Sequence, residues 1–131
     1  MRLLLDTHIW VWSRDEPKRL NRRVTRVIED SRNELWISPV SIWEILNLCG
    51  KGRMKLKGGP AGWVSEALAK VSYQEAPLTH EVVLATETFT LPHRDPIDTF
   101  LVASAKVYGL TLVTADTKLL TAKACPVLSN L

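Results

Sequence analysis

The sequence predicts an α/β domain with a mainly parallel central sheet, and three observations support this prediction. Residues 3–5 and 35–37 are short apolar runs without alternation, which is typical of strands buried on both faces. Residues 110–114 predict a further strand, and longer stretches with apolar residues at helical spacing lie between the strands. Strands that alternate with helices favour a parallel sheet. A length of 131 residues, with no linker or internal repeat, indicates one domain over residues 1–131.

Capping residues and glycines divide the rest of the chain. The predicted helices cover residues 9–12, 19–31, 40–49, 60–71, 80–89, 97–108 and 117–122, and short extended segments cover 75–78 and 127–128. Turns or loops are predicted at 14–18, 50–59 and 92–96. The Ser-Pro pair at 38–39 and the Asp-Pro pair at 95–96 are typical helix starts. Gly50 and Gly109 are typical helix stops.

Composition restricts the class of protein. An apolar share of 46% and a charged share of 24% are ordinary for a globular chain. No run approaches the length of a membrane span, and the start of the chain does not read as a signal peptide. Two cysteines are too few for a disulfide framework, so we expect a cytoplasmic protein. The net charge of +3 permits a nucleic-acid partner.

Four acidic residues stand where an α/β sheet places its functional site. Asp6 directly follows the first strand, and Asp116 follows the strand at 110–114. Glu44 and Asp98 lie in helices that begin beside strand ends. Parallel strands bring their carboxyl ends to one edge of the sheet, where ligands bind. Crowded carboxylates repel unless a cation neutralises them, and hard oxygen ligands suit Mg²⁺ or Mn²⁺. Two such ions can hydrolyse a phosphodiester.

Each of these acids also has a purely structural explanation. Asp6 and Asp116 can each cap the helix that follows. Asp95 and Asp98 stand at the start of a helix, where the dipole favours negative charge. Glu44 can belong to a solvated stripe, with Ser41, Asn47 and Lys51, on an otherwise apolar helix. The conjunction of the acids, and not any one of them, favours a metal site.

Four motifs occur in order along the chain: LLDTH at 4–8, SPVSIWEI at 38–45 with KGRMKL at 51–56, LPHRDPIDTFLVASA at 91–105, and TLVTAD at 111–116. In order and spacing they make the chain resemble PIN-domain ribonucleases of the VapC toxin type over nearly its whole length. The resemblance implies a three-layer α/β/α sandwich around the parallel sheet. It also implies an RNA substrate, a cognate antitoxin protein and a second copy of the chain as partners.

The resemblance assigns roles to particular residues. It implies that the catalytic, metal-binding acids are Asp6, Glu44, Asp98 and Asp116. It implies that the supporting residues around them are Thr7, Asp95 and Thr114. Many relatives carry Arg where this chain has Thr99, so a contact made by that arginine is not expected here.

Basic and histidine residues give weaker signals. Arg53 and Lys55 follow the Glu44 helix and are candidate RNA contacts, with Lys51 and Lys57 nearby. A group of arginines on the predicted 19–31 helix is expected to form a solvated face: Arg22, Arg23 and Arg26. His8 and His93, each beside an acid, are interpreted as structural hydrogen-bonders, and His80 as a surface residue.

Five tryptophans are many for this length. Trp36 and Trp43 are expected to fill the core. Trp10, Trp12 and Trp63 are expected to be partly exposed, where they would mark a partner surface.

The function predicted from these features is that of a Mg²⁺- or Mn²⁺-dependent endoribonuclease, the toxin of a toxin–antitoxin pair. A second hypothesis is a Mg²⁺-binding aspartate phospho-acceptor in signalling, a role that needs neither Glu44 nor Asp116. A third is a catalytically silent, PIN-like RNA-binding module, which the intact acids disfavour.

Overall fold

A five-stranded parallel sheet forms the centre of the computed structural model, which describes residues 1–93 and 95–131. The strands are β1 (Arg2–Leu5), β2 (Glu34–Ile37), β3 (Tyr73–Glu75), β4 (Thr111–Thr114) and β5 (Val127–Ser129). Their spatial order is β3-β2-β1-β4-β5, and each neighbouring pair is parallel. The predicted parallel sheet is confirmed, with β1 as its central strand.

Helices connect the strands. They are α1 (Thr7–Asp15), α2 (Arg22–Glu29), α3 (Pro39–Gly50), α4 (Pro60–Lys70), α5 (His80–Ala85), α6 (Pro96–Tyr108) and α7 (Thr117–Ala122), with 3₁₀ turns at Pro17–Arg19 and Thr86–Thr88. Every helix in the described part of the chain is shorter or more polar than one that crosses a bilayer.

The alternation of side chains along β1 creates two hydrophobic cores. Leu3 and Leu5 point to one face and pack in a core with residues of α1, α2, α3 and α4. Leu4 points to the other face, where its core includes Leu101 of α6 and Leu119 of α7. All three leucines are fully buried. The helices on both faces form the three-layer sandwich that the resemblance implies.

The strand order places a topological switch point between β1 and β4. From β1 the chain builds the sheet outward through β2 to β3, and then returns to place β4 on the other side of β1. The two strand ends are tied together, because the N–H of Asp6 donates to the carbonyl of Val113 at 3.0 Å. Ligands of such sheets bind in the crevice at this point.

Capping side chains set helix boundaries that periodicity does not reveal. The predicted helix over 19–31 is shorter in the structure, because Asn21 Oδ1 accepts the Val24 N–H at 2.8 Å and starts α2 after a 3₁₀ turn. The predicted short helix at 9–12 is longer, since Asp6 caps α1 and the helix continues to Asp15. The same local chemistry confirms Ser38 and Asp95 as caps.

Three further boundaries differ from prediction. Helix α3 includes Gly50, and the left-handed residue that follows is Gly52 with φ +71°. Helix α5 gives way to a 3₁₀ turn after Ala85, and β3 lies just before the predicted segment 75–78. The predicted turn at 92–96 includes Arg94, which lies outside the described residues.

The prediction for the tryptophans is wrong for three of the five. Trp43 lies on the outer face of α3 and is 58% exposed. Trp10 and Trp63 are buried and pack edge to face, with ring centroids 5.3 Å apart. The Trp63 indole N–H donates to Asp15 Oδ1 at 3.0 Å. This hydrogen bond satisfies the polar atom of the indole, so the ring can be buried.

Candidate active site

The four predicted acids meet in one cavity at the carboxyl edge of the sheet. The cavity has a volume of about 840 Å³ and is lined by Asp6, Glu44, Asp98 and Asp116. Asp95 also lines it. The four acids come from the ends of β1 and β4 and from α3 and α6, so the fold assembles them from distant parts of the chain.

Asp6 serves as a helix cap and as a wall of the cavity. Its Oδ1 accepts the Thr7 N–H at 2.7 Å, and its Oδ2 accepts the Thr114 hydroxyl at 2.7 Å. Burial raises the pKa of Asp6, although these two hydrogen bonds oppose the shift, and the charge of Asp116 adds to it. The structural and functional explanations of this residue are therefore compatible.

Thr114 connects the acids that follow β1 and β4. It is fully buried, donates to Asp6, and accepts the backbone N–H of Asp116 at 3.0 Å. Asp116 in turn caps α7, because its Oδ1 accepts the Lys118 N–H at 2.9 Å. One hydroxyl thus fixes the spacing of two carboxylates across the switch point.

Asp98 is the most buried of the four acids, with only 6% of its surface exposed. Its Oδ2 lies 2.6 Å from His93 Nε2, within hydrogen-bond distance. Burial raises the pKa of Asp98 to about 7 against the effect of His93, and the charges of Asp95, Asp6 and Asp116 raise it further. This carboxylate lies in a crowded negative environment.

Glu44 reaches the cavity from α3. Burial raises the pKa of Glu44; the Thr7 hydroxyl opposes that shift and the charge of Asp6 adds to it. Ser41, one turn earlier on the helix, is fully buried. Because Ser41 is buried, the alternative explanation of a solvated polar stripe on this helix is wrong at Ser41.

The donor set fits a divalent cation. One potential ligand atom each from His93, Asp98 and Asp116 lies within 4.8 Å of the other two, so Asp98 and Asp116 are close enough to bind one ion while His93 contacts Asp98. Burial, together with the charges of neighbouring acids, raises the pKa of Asp6, Glu44 and Asp98, and a bound cation would favour their ionised forms. Carboxylate oxygens of this kind are the ligands that Mg²⁺ and Mn²⁺ prefer.

The remaining predicted residues divide between the cavity and the surface. Arg53 and Lys55 line the cavity, whereas Lys51 and Lys57 do not. The α2 arginines are exposed away from it, as expected: Arg22, Arg23 and Arg26. Asp95 caps α6 by accepting the Ile97 N–H at 2.9 Å, and Thr99 donates its hydroxyl to the Asp95 carbonyl at 3.0 Å.

Sequence reasoning underestimated His93 and did not single out Arg19. His93 is the hydrogen-bonder that was expected, but its partner is a site carboxylate. The position of His93, five residues before Asp98, was the sequence signal that could have indicated this contact. Arg19 lines the cavity with Trp12 and His8, and no motif or spacing pointed to that arginine.

An α/β domain with carboxylates gathered at its switch point has the architecture of a metal-dependent hydrolase. Residues 3–124 match the sequence pattern of the PIN domain. The chain belongs to the PIN-domain family, as its motifs suggested.

Comparisons with individual proteins agree with this assignment. The chain is 30% identical over 120 residues to Ribonuclease VapC22 of Mycobacterium tuberculosis, covering 89% of this chain and 88% of that protein. Its fold is similar to that in the DNA-bound VapBC2 structure from Rickettsia felis, with a TM-score of 0.70, 15% identity and 98% of both chains covered. The DNA-bound VapBC structure from Salmonella typhimurium gives a TM-score of 0.69, at 13% identity and with 100% and 99% of the two chains covered.

Proposed function

We propose that this chain is a divalent-metal-dependent endoribonuclease and the toxin of a toxin–antitoxin pair. The observation that carries the proposal is the convergence of four carboxylates from four parts of the chain in one cavity that also bears Arg53 and Lys55. Similarity to a protein named as a ribonuclease over 89% of the chain supports the same activity.

In the proposed mechanism, Asp6, Glu44, Asp98 and Asp116 hold Mg²⁺ or Mn²⁺. The bound ion supplies Lewis acidity for activating water and for stabilising charge on the phosphate. Thr114 holds the Asp6 carboxylate in place by its hydrogen bond of 2.7 Å. Arg53 and Lys55 attract the RNA backbone toward a cavity that is otherwise rich in acids.

Removal of single site carboxylates tests the activity. Asp6→Asn and Asp98→Asn should each lower the rate of RNA cleavage by at least a hundredfold, because each removes a metal ligand, while circular dichroism shows an intact fold. Asp30→Asn is the matched control, since Asp30 lies outside the cavity and pairs with Arg32. Full cleavage by the wild type in excess EDTA would contradict the mechanism.

The partners are part of the proposal. Proteins with this fold occur in the DNA-bound VapBC structures, and this chain exposes apolar side chains such as Trp43 and Leu84, 58% and 70% exposed. We therefore propose a cognate antitoxin and a homodimer, in a cytoplasm where Cys49 and Cys125 stay reduced. We expect a small reading frame beside the gene for this chain to encode the antitoxin, and co-expression of the two should yield a complex that no longer cleaves RNA.

A further inference from the structure

We propose that Arg19, whose guanidinium lies over the Trp12 ring, is a stacking platform for a base of single-stranded RNA inside the active-site cavity. This inference rests on the proposed ribonuclease function and extends it to the way in which the substrate is held. It assigns a binding role to a side chain that lies outside the four motifs.

The geometry of Arg19 is that of a preorganised platform. The guanidinium carbon lies 4.2 Å from the centroid of the Trp12 ring, within cation–π range. The Trp12 ring is itself packed against the hydrophobic core and against His8, whose ring centroid is 5.7 Å away. The backbone of Arg19 is fixed as well, because its carbonyl accepts the Asn130 side-chain N–H at 3.0 Å.

One face of the guanidinium remains available to a ligand. The Arg19 side chain is 55% exposed, and it lines the same cavity as the four acids. Nucleic-acid bases stack on arginine planes as they do on aromatic rings, and single-stranded RNA offers its bases for such contacts. A guanidinium already held over the Trp12 ring loses less conformational freedom when a base covers it.

The size of the cavity leaves room for a nucleotide. Each water molecule takes about 30 Å³ of liquid volume, so one cation and a few waters would fill only a small part of the cavity. The cavity measures about 840 Å³. A strand whose scissile phosphate lies at the acids, with Arg53 and Lys55 beside it, can therefore place a neighbouring base on Arg19.

The charge around Arg19 indicates stacking, and not phosphate attraction, as its main contribution. Glu16 Oε2 lies 3.6 Å from Arg19 Nη1, and Asp15 and Glu16 both line this end of the cavity. These acids offset much of the positive charge that a phosphate would meet. A planar contact to a base does not depend on that net charge, so its loss should leave the salt dependence of binding nearly unchanged.

The test is binding of a fluorescently labelled, single-stranded RNA decamer, measured by anisotropy in EDTA over a series of KCl concentrations. Arg19→Ala and Arg19→Lys should both weaken binding about tenfold, the loss expected when one base loses its stacking partner. The slope of affinity against salt should stay as in the wild type. Binding of a blunt RNA duplex of equal length should change less than twofold, because its bases are already stacked.

Two control variants define the outcome. Arg23→Ala, an exposed arginine outside the cavity, should leave affinity unchanged, and Arg53→Ala should reduce the salt slope by about one if it neutralises a phosphate. Wild-type affinity in Arg19→Lys overturns the stacking proposal, as do equal losses on single-stranded and duplex RNA.

Failure of this proposal is distinguishable from failure of the nuclease assignment. If the wild type cleaves RNA and both Arg19 variants bind it normally, the platform is wrong and the nuclease stands. If the variants lose affinity only for a co-expressed antitoxin, Arg19 is a protein contact and the RNA proposal is overturned. If the wild type neither cleaves nor binds RNA, both proposals fall.

Discussion

Thr114 and His93 make hydrogen bonds that support acids of the cavity. Thr114 hydrogen-bonds to Asp6 and accepts the backbone N–H of Asp116, and His93 contacts Asp98 at 2.6 Å. Such supporting hydrogen bonds fix the orientation of ligating side chains, and their loss lowers metal affinity even when every ligand remains. Because the Nδ1 atom of His93 is buried without a partner in the described structure, its contact with Asp98 is the hydrogen bond that positions the ring.

Replacement of His93 tests this role. His93→Ala should weaken Mn²⁺ binding, followed by calorimetry, by about ten- to a hundredfold and slow RNA cleavage in parallel, because Asp98 loses its positioning partner. His93→Gln, whose amide can donate to Asp98, should recover part of both. His80→Ala, at an exposed position outside the cavity, should match the wild type. Equal Mn²⁺ affinity in His93→Ala and the wild type would show that the contact is not needed.

At the scale of helices and strands, the site depends on sharp helix ends. Helix α6 begins at the Asp95 cap, which places Asp98 in its first turn. It ends at Gly109, which adopts a left-handed conformation with φ +64° and lets the chain turn directly into β4. The same short turn therefore sets the position of β4 and of the acid that follows that strand.

Two glycine substitutions should have opposite effects. Gly109→Ala should lower the free energy of unfolding by about 1 kcal/mol, because a Cβ disfavours the left-handed backbone. Gly62→Ala should raise it by about 0.5–1 kcal/mol, since Gly62 lies in α4 with open space around it and no positive φ. Urea denaturation measures both. A destabilised Gly62→Ala beside a neutral Gly109→Ala would contradict this account of the helix ends.

Local chemistry explains why the elements were predictable and parts of the site were not. The apolar run at Leu3–Leu5, the Ser38 cap and the Gly109 stop depend on neighbouring residues, so the sequence predicts them. The contact between Trp12 and Arg19 depends on how a 3₁₀ turn folds back over α1, and the exposure of Trp43 depends on which face of α3 meets the core. Spacing along the chain carries no information on these two features. The four acids, in contrast, were predicted from their positions beside strand ends and from the family motifs.

At the scale of the whole molecule, the burial and crowding of the acids should affect the free energy of unfolding of the metal-free protein. Burial raises the pKa of Asp6, Glu44 and Asp98 in the folded state. The folded chain therefore binds protons more tightly than the unfolded chain, whose carboxyls titrate near pH 4. By linkage, the stability that these three groups contribute is greatest below that pH and falls as the pH rises toward about 7, where Asp98 ionises.

Urea unfolding between pH 5.5 and 7.5 measures this dependence. The metal-free protein should lose up to about 1.4 kcal/mol per pH unit for each proton released. Saturating Mg²⁺ should flatten the curve because a bound cation favours the ionised carboxylates, and Asp98→Asn should flatten it because the group that titrates near pH 7 is gone. The exposed acid Asp30 has its pKa lowered by Arg32 to about 2, so it finishes titrating below this range. A metal-free protein that gains stability toward pH 7.5 would contradict the account.

The hydrogen bond between Thr114 and Asp6 also bears on how the chain is synthesised. It joins residues separated by 108 positions, and β4 must be inserted beside β1 before it forms. At roughly 5–20 residues per second, a ribosome needs about 5 to 20 s to travel that distance. Until then the nascent chain carries Asp6 and Glu44 without Asp116. The proposed active site is therefore incomplete on the nascent chain until β4 and Asp116 have been synthesised.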